Sequence, residues 1–181
     1  DRVWMTSAGH GTMGFDLPTM IGAMIESSDN YDYGLVFVGD GSFQMNIQEL
    51  ATAIHYKLPV RVILINNHGY SMIQQTQDQW LESKYIASSP AGGVPDPDFC
   101  KVAKGYGYKT YSITRNNDIR KVLKEVFMVQ GPVFCEVNIM SEYRVVPQVK
   151  FGRPIEDSEP LLDRDDFGHE MIVPMLDVSK K

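Results

Sequence analysis

Three short apolar runs constrain this chain more than any other feature: "GLVFVGD" at 34–40, "PVRVILINN" at 59–67 and "GPVFCEVNI" at 131–139. Each is rich in β-branched residues and too short for a buried helix. Unbroken runs of this kind are strands covered on both faces. Segments with helical spacing lie around them. "DLPTMIGAMIESS" (16–28) offers Asp16 as an N-cap and Pro18 in the first turn, where a missing N–H costs nothing. "NIQELATAIHYK" (46–57) places Ile47, Leu50, Ala51 and Ile54 on one face, and "NDIRKVLKEVFMVQ" (117–130) does so with Ile119, Val122, Leu123 and Val126. The order strand, helix, strand, helix requires an α/β fold: a mostly parallel sheet with helices on both faces.

The remaining segments complete the outline. "YSMIQQTQDQWLESKY" reads as partly helical, the proline- and glycine-rich stretch 88–99 as a loop, a short helix begins at Asp98, and "YKTYSIT" alternates as a strand. Beyond residue 140 the periodicity fades into an irregular, acidic, proline-punctuated tail. The expected organisation is a domain over 1–140 and a tail over 141–181 that packs on the domain or on a neighbour.

The net charge of −6, with Lys and Arg dispersed, excludes nucleic acid and anionic membrane as main partners. No apolar run approaches the length of a membrane span. Cys100 and Cys135 form no C-x-x-C pair, so neither a disulfide framework nor a zinc site is suggested, and a reducing, cytoplasmic setting fits. The start, without a Met, reads as part of a longer protein.

Residues 9–14, "GHGTMG", match G-x-G-x-x-G. The dinucleotide fingerprint needs a helix that starts within the glycines. Pro18 would then fall in the helix interior, at a cost of about 3 kcal/mol. The glycines therefore read as a loop ahead of the helix, open to a flat ligand or serving as a plain turn.

Ligands of open parallel sheets bind beyond the carboxyl ends of the strands. Asp40 ends one run; Asn66 and Asn67 end the next. If those strands are neighbours, a carboxylate and an amide oxygen meet. Such hard donors suit Mg²⁺ or Ca²⁺, and Mg²⁺ with few protein ligands keeps positions open for phosphates. Gly39 and Gly41 would let the backbone after Asp40 turn toward those phosphates, Ser42 could add its hydroxyl, and a helix from Asn46 could present its N-terminus. The alternative is an ordinary βα turn.

"GDGSFQMNIQELATAIHYKLPVRVILINN" resembles the thiamine diphosphate signature, Gly-Asp-Gly followed by a helix, a strand and Asn-Asn. "GTMGFDLPTMIGA" resembles the preceding segment in the acetohydroxyacid (acetolactate) synthase-like branch. The resemblance spans about Ser7 to Arg144 and implies the C-terminal cofactor-binding domain and fold of such enzymes. It implies that Asp40, Asn67 and the carbonyl of Gly69 ligate Mg²⁺. Backbone groups of Gly41, Ser42 and Tyr70 would hold the diphosphate. Met13 would prop the bent cofactor, the carbonyl of Gly11 and the amide of Met13 would bond its pyrimidine edge, and Met45 and Met72 would line the pocket. The chemistry implied is decarboxylation of a small 2-oxo acid, with the carbanion then protonated or ligated. The glutamate that activates the pyrimidine would come from a pyrimidine-binding domain of the same or a neighbouring chain, in a homodimer or homotetramer, so this chain alone should be inactive.

The chain departs from the synthases at Thr76, where they carry a tryptophan, with Trp80 a turn later, and it carries His10 and His68. His68 is a candidate acid–base residue facing the substrate or a polar loop histidine. Two other functions stay open: the small subunit of a two-chain thiamine diphosphate decarboxylase or 2-oxo acid oxidoreductase, and a nucleotide-binding module without catalysis.

Overall fold

The structure is a computed structural model that describes residues 3–27 and 29–180. It divides into two compact units, Asp1–Tyr70 with Tyr85–Ser141, and Ser71–Lys84 with Glu142–Lys181.

The first unit is built on four parallel strands, β1 (Gly34–Gly39), β2 (Val60–Asn66), β3 (Lys109–Ile113) and β4 (Val133–Asn138), in the order β1-β2-β4-β3. Against one face lie α1 (Asp16–Ser27), α2 (Asp40–Met45), α3 (Glu49–His55) and α5 (Phe99–Gly105); their Leu17, Ile21, Phe43, Leu50, Phe99 and Ala103 pack on Val36, Val62, Leu64 and Phe134. Against the other lies α6 (Ile119–Met128), where Val126 meets Ile63, Ile113 and Cys135. Connections that advance from β1 toward β3 cross the first face, and the one that returns from β3 to β4 crosses the second. A single handedness of crossover demands this arrangement. Helices thus cover both faces, as the unbroken apolar runs require.

Phe43 is the hub of the first layer. It is 1% exposed, with ring centroids 5.8 Å from Phe99 and 5.3 Å from Phe134. The short helix expected from Asp98 is α5, with Asp98 as its N-cap, its Oδ1 accepting from the Lys101 N–H at 2.8 Å. Arg61, charged yet buried in β2, donates to the carbonyls of Phe127 and Val129 at 3.4 and 3.0 Å and lies 3.8 Å from the Tyr33 ring centroid. It satisfies carbonyls that the end of α6 leaves without helical partners.

Two local expectations are corrected. The helix expected over 46–57 forms only over Glu49–His55, as α3, and an unexpected helix, α2, precedes it from Asp40, so Asp40 opens a helix and does not close the strand. The break falls at Asn46, whose side chain donates to the Gly14 carbonyl at 2.5 Å. Asp16, expected as the N-cap, is instead the first residue of α1, and its carboxylate accepts the Ser42 hydroxyl at 2.5 Å.

The second unit combines α4 (Ser71–Trp80) with the C-terminal segment, which contains α7 (Arg164–Glu170) and a 3-10 turn at Asp177–Lys180 between irregular stretches. The tail is therefore more ordered than its sequence pattern suggests. Buried Gln75 pairs with Val145 as a strand would, donating to its carbonyl and accepting from its N–H, both at 3.0 Å. Arg144 meets Asp78 at 2.8 Å. Asp157, 1% exposed, is held by Arg153 at 2.8 Å and Arg164 at 3.0 Å. Asp163 caps α7, accepting from the N–H of Asp165 at 2.9 Å. Among the described residues, no helix is long and apolar enough to cross a membrane.

Candidate functional site

β1 and β2 are neighbours in register, Gly39 beside Ile65, so the residues that follow them emerge together at the carboxyl edge of the sheet. Asp40 lies there at 6% exposure, and the Gly69 N–H donates to its Oδ2 at 2.7 Å. Burial pushes the Asp40 carboxyl above its ordinary value; backbone N–H groups of Gly69 and Gly41 oppose that rise, and the Asp96 charge adds to it.

The end of the Asn67 amide reaches the same place, 3.1 Å from Asp40 Oδ1 and 2.6 Å from the Gly69 carbonyl oxygen. Turned one way, its NH₂ donates to both. Turned the other, three oxygens converge, an arrangement that a cation reconciles. One carboxylate, one amide oxygen and one backbone carbonyl make a hard, oxygen-only donor set of the kind Mg²⁺ takes. Among the described residues, no group of three His, Cys, Asp or Glu side chains is placed to hold a metal, so a zinc-type cluster is not formed there. The ends of β1 and β2 thus bring the Asp40 and Asn67 side chains within 3.1 Å of each other.

Around this point the turn after β2 is tightly specified. His68 adopts the left-handed conformation at φ 61°, its N–H donating to Asn66 Oδ1 at 3.0 Å, and Gly69 follows at φ 149°. The His68 ring Nδ1 lies 2.8 Å from Asp96 Oδ2, and both side chains are about one-third exposed, at 38% and 33%. A Cβ on Gly41 would collide with the Tyr70 ring and come within 3.0 Å of Met13 Cε, so Gly41, Met13 and Tyr70 converge.

The glycine loop is tied to α2. The Gly14 N–H donates to Ser42 Oγ at 2.8 Å, and its carbonyl accepts from Asn46. The Ser42 hydroxyl, expected to face a phosphate, is thus engaged by the loop and by Asp16. α1 begins after the last glycine of "GHGTMG", as Pro18 requires, so the dinucleotide geometry is absent. Gly11 is exposed and left-handed at φ 57°; Met13 and Met45 are 38% and 52% exposed. Met72 lies on α4, in the second unit.

Two residues here carried no assigned role: Glu136, 9% exposed within β4, and Asp96. Glu136 left a signal in the sequence, because a charge inside the apolar run "VFCEV" needs a buried partner.

The family described as "Thiamine pyrophosphate enzyme, C-terminal TPP binding domain" matches residues 1–137. The chain is 38% identical over 151 residues to the acetolactate synthase isozyme 1 large subunit of Escherichia coli (strain K12), covering 83% of this chain and 26% of that protein. It is 32% identical over 171 residues to acetolactate synthase 1, chloroplastic, of Zea mays, covering 91% and 26%. Among solved structures it resembles the Rhodococcus jostii RHA1 thiamine diphosphate-dependent 4-hydroxybenzoylformate decarboxylase, with a TM-score of 0.63 and 28% identity over 72% of this chain and 24% of that one. The chain thus spans about a quarter of the length of these relatives. The family match over residues 1–137, together with the relatedness to these synthases, leads to one assignment: the chain belongs to the thiamine pyrophosphate enzymes, as their C-terminal cofactor-binding domain.

Proposed function

We propose that this chain is the cofactor-binding part of an enzyme that decarboxylates a small 2-oxo acid and then either protonates the product or joins it to a second carbonyl compound, in the manner of an acetolactate synthase. The observation that carries this reading is the convergence of Asp40, Asn67 and Gly69 oxygens at one sheet edge. In it, Asp40, the Asn67 side chain and the Gly69 carbonyl hold Mg²⁺. Backbone groups of Gly41 and Ser42, in the first turn of α2 where N–H groups lack helical partners, hold the diphosphate together with Tyr70. Met13 props the cofactor from the tethered glycine loop, the Gly11 carbonyl and Met13 amide meet the pyrimidine, and Met45 lines the pocket. His68 faces the substrate. When bound, thiamine diphosphate supplies the nucleophilic carbon and the electron sink for decarboxylation.

Residues 1–140 form the binding domain in this proposal, and 141–181 its C-terminal tail. The pyrimidine half of the site comes from a further domain of the same or a neighbouring chain, in a cytoplasmic homodimer or homotetramer. Titration calorimetry of the intact protein tests the reading. Saturable heat with thiamine diphosphate and Mg²⁺, absent with NAD, is expected; the reverse pattern overturns it.

A further inference from the structure

The carboxylate of Glu136 has no place in the set of groups assigned above, yet it is buried in the central strand pair of the sheet. Its sheet neighbours are Leu64 on β2 and Ser112 on β3. A charge in that position is costly unless a specific partner meets it. Its partner on β2 is Asn66, 2% exposed, whose Nδ2 donates to Glu136 Oε1 at 2.7 Å.

That bond fixes more than a pair. Only the NH₂ end of an amide donates, so a carboxylate facing Asn66 dictates which way its amide is turned. Asn66 Oδ1 is left to accept the His68 N–H at 3.0 Å. The Asn66 backbone carbonyl is also pinned, by the Ile139 N–H at 2.9 Å. His68 is left-handed, a conformation that a residue with a Cβ keeps only when its surroundings enforce it. From that turn Asn67 and the Gly69 carbonyl face Asp40, and the Gly69 N–H bonds the Asp40 carboxylate.

We propose that Glu136 is a positioning residue for the ion site: through the Asn66 amide it holds the 67–69 turn in the shape that aims two oxygens at Asp40. The inference rests on the cofactor reading above. The requirement is for a hydrogen bond between positions 66 and 136 that leaves an acceptor at position 66 for the His68 N–H, not for the charge of Glu136.

Two exchanges separate this role from simple core packing. Glu136→Leu removes the acceptor and frees the Asn66 amide to turn. Asn66→Asp sets a second carboxylate against Glu136. Asn66→Asp combined with Glu136→Gln restores one carboxylate and one amide with their places swapped, the introduced amide donating and the introduced carboxylate still accepting from His68. The measurement is Mn²⁺ affinity of the intact protein with thiamine diphosphate, followed by the spin resonance of free Mn²⁺, beside the melting temperature without metal. Glu136→Leu and Asn66→Asp are expected to weaken Mn²⁺ binding about 10- to 100-fold, the usual effect of losing a group that orients a ligand. Glu136→Gln alone and the double exchange are expected to bind Mn²⁺ close to wild type. Wild-type affinity in Glu136→Leu, or a double exchange no tighter than Asn66→Asp, overturns the positioning role while leaving the cofactor reading intact. A wild-type protein that binds no Mn²⁺ in the presence of thiamine diphosphate overturns the cofactor reading, and this inference with it.

Discussion

The backbone N–H of Gly69 donates to the carboxylate of Asp40 at 2.7 Å, joining the turn after β2 to the first residue of α2 across 29 positions of sequence. The same carboxylate faces the Asn67 amide and lies beside the Gly69 carbonyl. Asp40→Asn keeps an oxygen for the Gly69 N–H and brings an NH₂ to the crowded oxygens. The metal-free protein should therefore melt no lower than wild type, while Mg²⁺ affinity falls by at least about 100-fold, since a lost ligand costs no less than a lost ligand-orienting group. Calorimetry with Mg²⁺ and thiamine diphosphate, paired with a metal-free melt, checks both halves.

Gly41 is closed to side chains by the Tyr70 ring and Met13 Cε. Gly41→Ala should cost about 1–3 kcal/mol, the usual penalty of overpacking. In a Tyr70→Ala background the same change should be neutral or favourable by up to about 1 kcal/mol, because alanine is the better helix former. Urea unfolding of the four proteins gives the coupling; additive effects would show that the ring is not the obstacle.

Phe43 carries the first helical layer. Phe43→Ala should destabilise the protein by about 3–5 kcal/mol, as truncations of fully buried aromatics do. Urea unfolding measures it, and a loss below about 1 kcal/mol would mean the Phe43–Phe99–Phe134 cluster is not central to stability.

Burial pushes the Cys100 thiol up to about 12, with the neighbouring Glu136 adding to the rise, and burial pushes Cys135 up to about 11. The folded state thus favours the protonated thiols. The stability this contributes is whole below the ordinary thiol value of 9.0 and is lost as pH climbs through 11 toward 12. The Tyr108 hydroxyl, also raised by burial, acts in the same direction. Melting temperature should fall between pH 9 and 11, more steeply in wild type than in Cys100→Ala/Cys135→Ala. Native protein at pH 8 should resist a thiol reagent that modifies both cysteines once it is unfolded.

Much of the first unit was legible. The runs at 34–40, 59–67 and 131–139 became β1, β2 and β4, and the helix expected from Asp98 became α5. α2 was not legible. "DGSFQM" is too short, and too rich in Gly and Ser, to be helical by propensity; the burial of Phe43 holds it. α7 was hidden for a similar reason, its turn resting on the Asp163 cap and on buried Phe167. The chemistry of Asp40 and Asn67 showed in their place after apolar runs, whereas Glu136 showed only as a misplaced charge.

Taken alone, the order of residues determined the parallel α/β architecture and the kinds of oxygen donor at its carboxyl edge, because strand burial and helix spacing are written in local periodicity. The tertiary structure alone decided that Asp40 and Asn67 share one point, that His68 turns left-handed between two donors, and that Glu136 reaches the turn through Asn66. Those relations depend on strand order and side-chain packing between segments distant in sequence, which no local pattern encodes.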